Sequence, residues 1–493
     1  MILIFAALLD CPGEPLASAA GSADEGGGES RSVASDNAAN PLPTHAETNS
    51  PPAAGSAPLP AIGFRASWNG WKGLHLEVTR RSLLGRWIPG VTNLATFSGD
   101  VSEKLMGHGW VETRMSNTFS RVHLEETRLT ADVGVKMAVD GAAYRSDDDI
   151  PGFDDGVELR RARLIAKGDC LLVLPVSYQI EAGYIPGQFY IENSYLQFKN
   201  LGGVGSLKAG QFRTPMSMEN AGSSRDTLFM EAAAAVQALA PGVEAGFQIG
   251  QPILDRRMTW AFGLFTEGVG DDFGDATEDL GRAVGRITGL LMDDPDPLHP
   301  EAGRFLHLGL SGYLVYAGSD SVRYRSRPES HQAPLVIDTG DVSASGAFVF
   351  GAEAAWIEGP LTLQGEYLRV AVRNGEAPDV GFHGYYTSAG WFLTGESRPY
   401  DRVRGSFSRV IPNRNFDLRG GGWGAWEIAA RFSHVDLNSQ GVTGGRLTMG
   451  TVAVNWYLHS HMKWRFEHGF GHVAGRNPEG NIRQFQTRFE FDF

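Results

Sequence analysis

Cysteine is almost absent from this chain: its 493 residues contain two, Cys11 and Cys170. Two cysteines so far apart form neither a disulfide framework nor a zinc site of the usual ligand spacing. The chain also lacks any apolar run of the ~18 residues that a membrane-spanning helix needs. A helical membrane protein is therefore excluded. A membrane β-barrel is not excluded, because its strands need only ~9–11 residues of alternating polarity.

Positive charge is in deficit as well, with 43 Lys and Arg against 57 Asp and Glu. This balance argues against a general affinity for nucleic acid phosphates. Enzyme signatures are missing too. The 13 histidines form no HExxH or comparable metal spacing, and no GxSxG, Walker A or dinucleotide fingerprint stands between a strand and a helix. We therefore expect neither an enzyme nor a bound cofactor or metal.

Glycine, by contrast, is plentiful, with 63 residues, and 25 prolines add to the supply of turn-forming residues. From about Leu129 the chain repeats one unit, in which a stretch of alternating apolar and polar residues is followed by Gly, Pro, Asn or Asp. We count about sixteen such stretches, and period-2 alternation between turn signals predicts a β-strand in each.

The last stretch, NIRQFQTRFEFDF, shows the alternation most clearly, because Phe489, Phe491 and Phe493 lie on one face and charged side chains lie on the other. Aromatic residues near strand ends, as in WGAWEIAARF and KWRFEHGFGH, are typical of the girdles at membrane interfaces. The sequence therefore predicts an all-β fold: a single transmembrane antiparallel β-barrel of about 16 strands in the bacterial outer membrane. A soluble double β-sandwich is the alternative.

The composition shifts along the first part of the chain. Residues 1–20 combine a short apolar stretch with small residues after it and predict a signal peptide. Residues 21–60 are rich in Ala, Gly, Ser, Pro and acid and predict a disordered linker. Residues 61–128 are interpreted as a pre-barrel region with an insertion, and residues 129–493 as the barrel domain.

One connection between predicted strands is clearly long, from Thr214 to about Val243. Its sequence is rich in Met and Ala, which makes it too apolar for simple exposure to solvent. Barrel strands are joined by short turns at one end and longer loops at the other. We interpret this segment as an inward-folded constriction loop. The alternative is a loop that packs over a contact between subunits.

Five stretches together resemble the phosphate-selective porin O/P family. They are VELRRARL (157–164), LKAGQFRTPMSMENAGSSRDTLFME (207–231), GYYTSAGWFLTGESRPYD (384–401), GWGAWEIAARFSHVDLN (422–438) and VNWYL (454–458). The resemblance covers roughly residues 129–493. It implies a sixteen-stranded outer-membrane barrel, usually trimeric, that passes anions and in some members phosphate or polyphosphate selectively.

The resemblance also implies a set of basic pore residues. Lys136, Arg160 and Arg161 match the family's basic pore positions. Arg suits phosphate because its planar guanidinium offers paired hydrogen-bond donors. At β spacing, Arg160 and Arg161 are expected to face opposite sides of their strand.

Three further residues belong to the same implied constriction. Glu192 matches an acidic constriction residue of the family. Where the selective members carry a Lys early in the constriction loop, this chain has Asn220. Arg225, five residues on, is the candidate replacement, although it can equally pair with Asp226. The loss of one cation weakens the case for phosphate specificity.

A second basic feature is RYRSR, in which three arginines share one face of an extended segment: Arg323, Arg325 and Arg327. The resemblance implies a ladder of arginines that guides anions inward, and these three are its candidate rungs. The alternative is a solvated extracellular loop.

The sequence thus predicts an outer-membrane porin whose water-filled channel passes small anions by passive diffusion, phosphate or polyphosphate among them. The alternatives are a general, non-selective porin and a non-conducting protein that tethers the cell envelope. Expected partners are two further copies in a homotrimer, outer-membrane lipid and lipopolysaccharide, and the barrel assembly machinery through the terminal Phe493. No nucleic acid partner is expected.

Overall fold

The computed structural model describes residues 127–493, apart from gaps at 148–149, 172–173, 186–187, 267–280, 297–301, 317–320 and 374–377, and the backbone of four strands between residues 63 and 117. The predicted signal peptide and linker, residues 1–60, lie outside the described residues. Most of the described chain is β-structure, as the alternating pattern predicts.

Sixteen antiparallel strands close into a single barrel, which confirms the predicted fold. In chain order they are β1 (Thr127–Ser146), β2 (Gly156–Leu171), β3 (Pro175–Ile185), β4 (Gln188–Ile191 and Ser194–Phe198), β5 (Ser206–Arg213), β6 (Val243–Ile253), β7 (Met258–Phe265), β8 (Arg282–Pro295), β9 (Gly303–Tyr316), β10 (Gly346–Glu358), β11 (Leu361–Arg373), β12 (Val380–Phe392), β13 (Ala425–Ser439), β14 (Val442–His459), β15 (Met462–Ala474) and β16 (Gly480–Asp492). Each strand pairs with the next, and β16 pairs with β1.

The last strand closes the barrel. β16 pairs with β1 along eleven residues, and beyond this ladder the backbones of Phe493 and Val135 exchange two hydrogen bonds of 2.8 and 3.0 Å. Phe485 and Phe489 are 45% and 37% exposed on the outer wall, whereas Arg488 between them is fully buried inside. The aromatic column of the final stretch therefore faces outward and its polar column faces the interior, as the alternation predicts.

Three loops occupy the barrel interior. The inner loop, residues 214–242, joins β5 to β6 and contains the helices α1 (Met218–Ala221) and α2 (Ala234–Leu239). The outer loop, residues 321–345, joins β9 to β10 and contains two short ladders, Ser321–Val322 with Val342–Ser343 and Arg325–Ser326 with Ile337–Asp338. The turn-end loop, residues 393–424, joins β12 to β13 and pairs Tyr400–Asp401 with Ser406–Phe407.

The two ends of the barrel differ in their connections. The end that carries the inner and outer loops is here called the loop end. The opposite end, the turn end, has tight connections such as residues 254–257 and 359–360, and the chain ends there. Outer-membrane barrels place long loops outside the cell and short turns in the periplasm, so the loop end is extracellular. The turn-end loop departs from this rule because it is long and enters the barrel from the periplasmic side.

The region before the barrel also contains strands. Gly63–Trp68, Leu74–Arg81 and Leu94–Gly99 form a three-stranded antiparallel sheet. Val111–Asn117 pairs with the first seven residues of β1, beyond the point where β16 ends.

A 3₁₀ turn, Gly202–Val204, connects β4 and β5. None of the helices within the described ranges is long and apolar enough to cross a membrane.

The alternation of side chains on the barrel wall predicts how much stability a charged substitution on the outer face costs at different depths in the membrane. Val452 lies on the outer face of β14 near its middle and is 52% exposed. We expect Val452→Arg to lower the free energy of unfolding of the barrel in lipid vesicles by about 2–4 kcal/mol. Thr448→Arg, on the same face but nearer the loop end, is the control and should cost about 0–1 kcal/mol. Equal costs in denaturant titrations would contradict this orientation of the wall.

Candidate functional site

The inner loop is held against the wall of β13–β16 by hydrogen bonds to its own backbone. Three buried wall side chains donate to consecutive loop carbonyls: Asn455 Nδ2 to Leu228 at 2.9 Å, Arg465 Nη1 to Phe229 at 2.6 Å and Arg488 Nη1 to Met230 at 2.6 Å. The N–H of Met230 donates to Glu467 Oε1 at 2.5 Å. Irregular backbone at membrane depth is stable only when its polar groups are satisfied. The inward path predicted for this loop is therefore confirmed, and polar wall residues fix it.

A β-bulge in β2 places two arginines side by side. Ala138 of β1 pairs with Arg161, and the next residue, Val139, pairs with Leu159, so Arg160 is the extra residue. A bulge sets two residues of one strand against one of its neighbour and so reverses the alternation of faces. The prediction that Arg160 and Arg161 face opposite sides is therefore wrong, because both side chains enter the barrel interior.

Arg160 is neutralised inside the barrel. Its Nε and Nη2 donate to the two carboxylate oxygens of Glu231 in the inner loop, at 3.1 and 3.3 Å. Arg488 also donates to Glu231, at 2.6 Å, and makes two 2.6 Å hydrogen bonds to Asp140. Burial alone would raise the pKa of Glu231, but Arg160 and Arg488 hold that pKa well below its usual range. Two arginines and two acids thus form one compensated network that ties β1, β2 and β16 to the inner loop.

A cavity of about 50 Å³ lies beside this network. A buried water needs about 10–15 Å³ by this measure, so the cavity has room for about four waters or one small oxyanion. Its lining includes six basic side chains and three acidic ones: Lys136, Arg161, Arg163, Arg225, Arg409 and Lys463, with Asp226, Glu490 and Asp492. Other polar residues also line it: Ser223, Ser224, Tyr457, His459, Ser460 and His461.

Arg161 brings unfilled hydrogen-bond donors to the cavity. It is 7% exposed, and its Nε and Nη1 have no hydrogen-bond acceptor among the described residues. Glu490 Oε1 lies 3.6 Å from Nη1, which is an ion-pair distance but too long for a hydrogen bond. A buried donor without an acceptor costs about 1–3 kcal/mol, and more when it is charged. An anion in the cavity would supply the missing acceptor.

Lys136 and Arg163 face the cavity together from β1 and β2. Lys136 Nζ lies 3.5 Å from Glu181, and Arg163 Nη1 lies 3.2 Å from the same carboxylate. Arg163 Nη1 also lies 3.0 Å from Glu192, the acid that the sequence assigns to the constriction. Lys136 therefore lines the cavity, whereas Glu192 is not among the lining residues and compensates Arg163.

Asn220 and Arg225 of the inner loop occupy different positions. Asn220 is buried, accepts a hydrogen bond from Arg213 Nη1 at 2.8 Å, and is not part of the cavity lining. Arg225 lines the cavity, but it pairs with Asp226 at 3.1 Å and with Asp492. The structure thus brings Arg225 to the cavity and leaves Asn220 outside it.

The turn-end loop closes the cavity from the periplasmic side. Its Arg409 pairs with Asp492 and donates to the carbonyl of Ser460 at 2.5 Å. Its Arg398 is fully buried and donates to the carbonyl of Asp226 in the inner loop at 3.0 Å. Two loops that enter from opposite ends therefore meet directly inside the barrel.

The three arginines of RYRSR lie on the outer loop. Arg323 makes two hydrogen bonds to Asp338, of 2.9 and 2.6 Å, and these bonds hold the pKa of Asp338 below its usual value. Arg325 is exposed, and Arg327 donates to the carbonyl of Ala333. The first rung of the predicted ladder is thus already compensated, and the role of all three in guiding anions stays a prediction.

Sequence reasoning missed several residues that build the cavity. Glu490 and Asp492 could have been predicted, since their alternation on β16 with the outward Phe489 places them in the interior. Lys463 carries the same signal, since it alternates on β15 with the outward Trp464. Arg409 gave no such signal, because nothing in the turn-end sequence indicates that this loop enters the barrel. In the described parts of the chain, no cluster of His, Cys, Asp or Glu could hold a metal ion.

A family model, two relatives and a solved structure are similar to this chain. The family model for phosphate-selective porin O and P matches residues 132–493. An uncharacterised protein of Caulobacter vibrioides is 28% identical over 389 residues, which is 74% of this chain and 73% of that protein. Porin O of Pseudomonas aeruginosa is 26% identical over 328 residues, 58% of this chain and 70% of that protein. Among solved structures, an anion-selective porin from Comamonas acidovorans has a TM-score of 0.48 at 13% identity and covers 74% of this chain and all of that one.

The network around Arg488 predicts a large effect on stability. Arg488→Ala would leave the buried carboxylates of Asp140 and Glu231 undercompensated and the Met230 carbonyl without its donor. Breaking a buried ion pair by removing one partner costs about 3–5 kcal/mol. We expect a loss of that size in denaturant unfolding of the reconstituted barrel.

The control for this variant is Arg304→Ala. Arg304 pairs with Glu358, but their side chains are 50% and 40% exposed. Exposed pairs contribute about 0.2–1 kcal/mol. Similar losses for the two variants would show that the Arg488 network does not anchor the inner loop.

Proposed function

The chain belongs to the phosphate-selective porin O and P family and is an outer-membrane porin, and on that premise we propose that it passes small anions by passive diffusion, with oxyanions such as phosphate held in the cavity. Family membership points to a channel rather than an enzyme. Fixed positive charge in a narrow passage favours anions, provided that binding is weak enough to allow release.

The observation that carries this proposal is the buried guanidinium of Arg161. Its two unfilled N–H groups line a cavity of about 50 Å³ in which bases outnumber acids six to three. Hydrogen bonds between a guanidinium and an oxyanion are charge-assisted and can be bidentate. A phosphate-sized anion in the cavity would accept these bonds and offset part of the excess positive charge.

The acids of the cavity limit how selective the channel is expected to be. Glu490 lies 3.6 Å from Arg161, and Asp492 pairs with both Arg225 and Arg409. Two unit charges 4 Å apart interact by about 4 kcal/mol at an effective dielectric of about 20. Each carboxylate therefore competes with a bound anion for the same cation, which favours a moderate anion preference. A general porin is the second candidate, and these same ion pairs support it.

Family membership also supports proposals about assembly and partners. We expect a homotrimer in contact with outer-membrane lipid and lipopolysaccharide, inserted by the barrel assembly machinery. Phe493, the last residue and 40% exposed at the turn end, is the residue that the machinery would read. Native mass spectrometry of the detergent-extracted protein would measure the number of subunits directly.

The role of Arg161 predicts a change in phosphate block. Planar bilayers in a chloride gradient should give a reversal potential on the anion side, and added phosphate should reduce the chloride current. A hydrogen bond to a charged group contributes about 1.5–3 kcal/mol, so Arg161→Gln should weaken the block by about ten- to a hundredfold. Arg304→Gln, on the outer wall at the turn end, is the control and should block as the unmodified protein does.

The outcomes of this experiment are distinct. Anion preference without phosphate block would indicate a general anion porin and would remove the cavity as a binding site. A protein that makes no pores in lipid would contradict the channel function itself. A block that Arg161→Gln leaves unchanged would show that phosphate binds elsewhere.

The cavity acids predict a change in the opposite direction. Glu490→Gln removes one negative charge beside Arg161 and Arg465 while nearly preserving side-chain volume. We expect the reversal potential to move toward the anion limit and the phosphate concentration for half block to fall about threefold or more. Glu358→Gln on the outer wall is the matched control. A weaker block in Glu490→Gln would mean that this carboxylate helps to seat the anion.

A further inference from the structure

The outer wall of the barrel carries basic side chains close to the loop end, where the wall borders the extracellular half of the membrane. We call this set the basic band. Its members are Arg145, Arg369, His383, His434, Arg446, His472 and Arg483, on β1 and on β11–β16. Their neighbours along each strand are buried, as Leu368 and Val370 are on either side of the exposed Arg369. The members of the band therefore point away from the interior.

The upper edge of the band is a continuous line across four strands. Arg369 of β11 pairs with His383 of β12, His383 pairs with Asp436 of β13, and Asp436 pairs with Arg446 of β14. The one acid in this line, Asp436, lies 3.1 Å from Arg446. Arg369 makes no hydrogen bond or ion pair with any described residue. The line therefore keeps an excess of positive charge.

The next line, two residues nearer the middle of the wall, continues the band toward β16. His434 Nδ1 lies 2.8 Å from Thr448 Oγ1, and Thr448 pairs across strands with His472. His472 Nδ1 lies 3.1 Å from Asn481 Oδ1 on β16. Imidazoles, a hydroxyl and an amide thus form an outward-facing polar row at a level where lipid contact would favour apolar side chains.

The band ends at the seam of the barrel with two arginines directly opposite each other. Arg483 of β16 pairs with Arg145 of β1, and both are exposed. Like charges directly opposite on neighbouring strands are destabilising. Arg145 lies 3.9 Å from Asp155, but these side chains are 82% and 56% exposed, and Arg483 makes no ion pair with any described residue. An anion between the two arginines would relieve their repulsion.

Below the band, the outer wall is apolar. Phe432, Val452, Phe470 and Phe485 lie on the same face, nearer the turn end, and are 44%, 52%, 51% and 45% exposed. Such residues form the lipid-facing surface of a membrane barrel. A ligand that touches both zones must therefore combine negative headgroups with acyl chains.

We propose that the basic band binds the phosphorylated headgroup of the outer-leaflet glycolipid, lipopolysaccharide, whose acyl chains pack on the apolar zone below. Guanidinium groups bind phosphate through paired donors, and they replace the divalent cations that would otherwise bridge the phosphates. This site is on the outer wall and is separate from the channel interior. The inference therefore holds whether or not the channel selects anions.

The test compares two triple variants with equal loss of charge. R369Q/R446Q/R483Q removes three of the four arginine charges of the band. The control, R304Q/R414Q/R419Q, removes three exposed arginines at the turn end. Full-length protein is extracted from outer membranes in detergent with EDTA, and bound lipopolysaccharide per subunit is measured by native mass spectrometry and 3-hydroxy fatty acid content. We expect the control to retain lipid as the unmodified protein does, and the band variant to retain about tenfold less. Equal retention by all three would overturn the proposal.

A second arm identifies the group that is recognised. The unmodified protein, stripped of lipid, is titrated with purified bis-phosphorylated lipid A and with its dephosphorylated form. Tighter binding of the phosphorylated form supports the proposal, whereas equal binding would mean that apolar contact alone holds the lipid. Asp436→Asn removes the acid of the upper line and should increase lipid retention; a decrease would contradict the role of charge.

Folding and channel activity are followed in the same samples. Heat-modifiable electrophoretic mobility reports the closed barrel, and bilayer conductance reports the channel. Conductance should be unchanged in R369Q/R446Q/R483Q, so loss of lipid is separated from loss of the pore. If the triple variant fails to fold, the single variant R369Q, at an exposed site, gives the same comparison, with partial loss of lipid expected and full retention against the proposal.

Discussion

Every peptide group that enters the barrel needs a hydrogen-bond partner there, and this requirement organises the interior. The inner loop brings a run of irregular backbone to membrane depth, where no regular sheet can pair it. Asn455, Arg465 and Arg488 supply donors to three consecutive carbonyls of that loop. The inner face of β14–β16 is polar for this reason, and the outer face of the same strands is left free to contact lipid.

The charges of the interior follow from this choice of donors. An arginine buried to hold a carbonyl needs a carboxylate nearby, and Asp140, Glu231 and Glu490 compensate Arg488 and its neighbours. Most of the buried basic residues thus bind loop carbonyls or pair with carboxylates. Arg161 differs because the β-bulge places Arg160 inward beside it, and Glu231, the partner of Arg160, is already shared with Arg488. Arg161 is therefore the residue best placed to bind a small anion, because it still has unfilled donors after these pairs have formed.

The fold could be predicted from the sequence because side chains along a membrane strand alternate between lipid and the interior with a period of two. The alternation of Phe489 with Arg488 and Glu490 is enough to assign both faces of β16. It failed at Arg160 because a bulge inserts one residue and has no signature in composition. It also missed the turn-end loop, because the inward path of Arg398 depends on a contact with Asp226 that is 172 residues away in the sequence. Alternation is local, whereas the cavity is assembled from distant segments.

The last strand brings Arg488 to the inner loop and seals the barrel in the same step. Arg488 and the Met230 carbonyl that it binds are 258 residues apart, so the inner loop cannot be fully anchored until the end of the chain has been added. Once β16 has paired with β1, the wall is continuous and no loop can enter from the side. A barrel that closed without the inner loop inside would leave Arg465 and Arg488 hydrogen-bonded to water in the lumen instead of to the loop carbonyls. Closure of the wall and full anchoring of the inner loop therefore depend on the same strand.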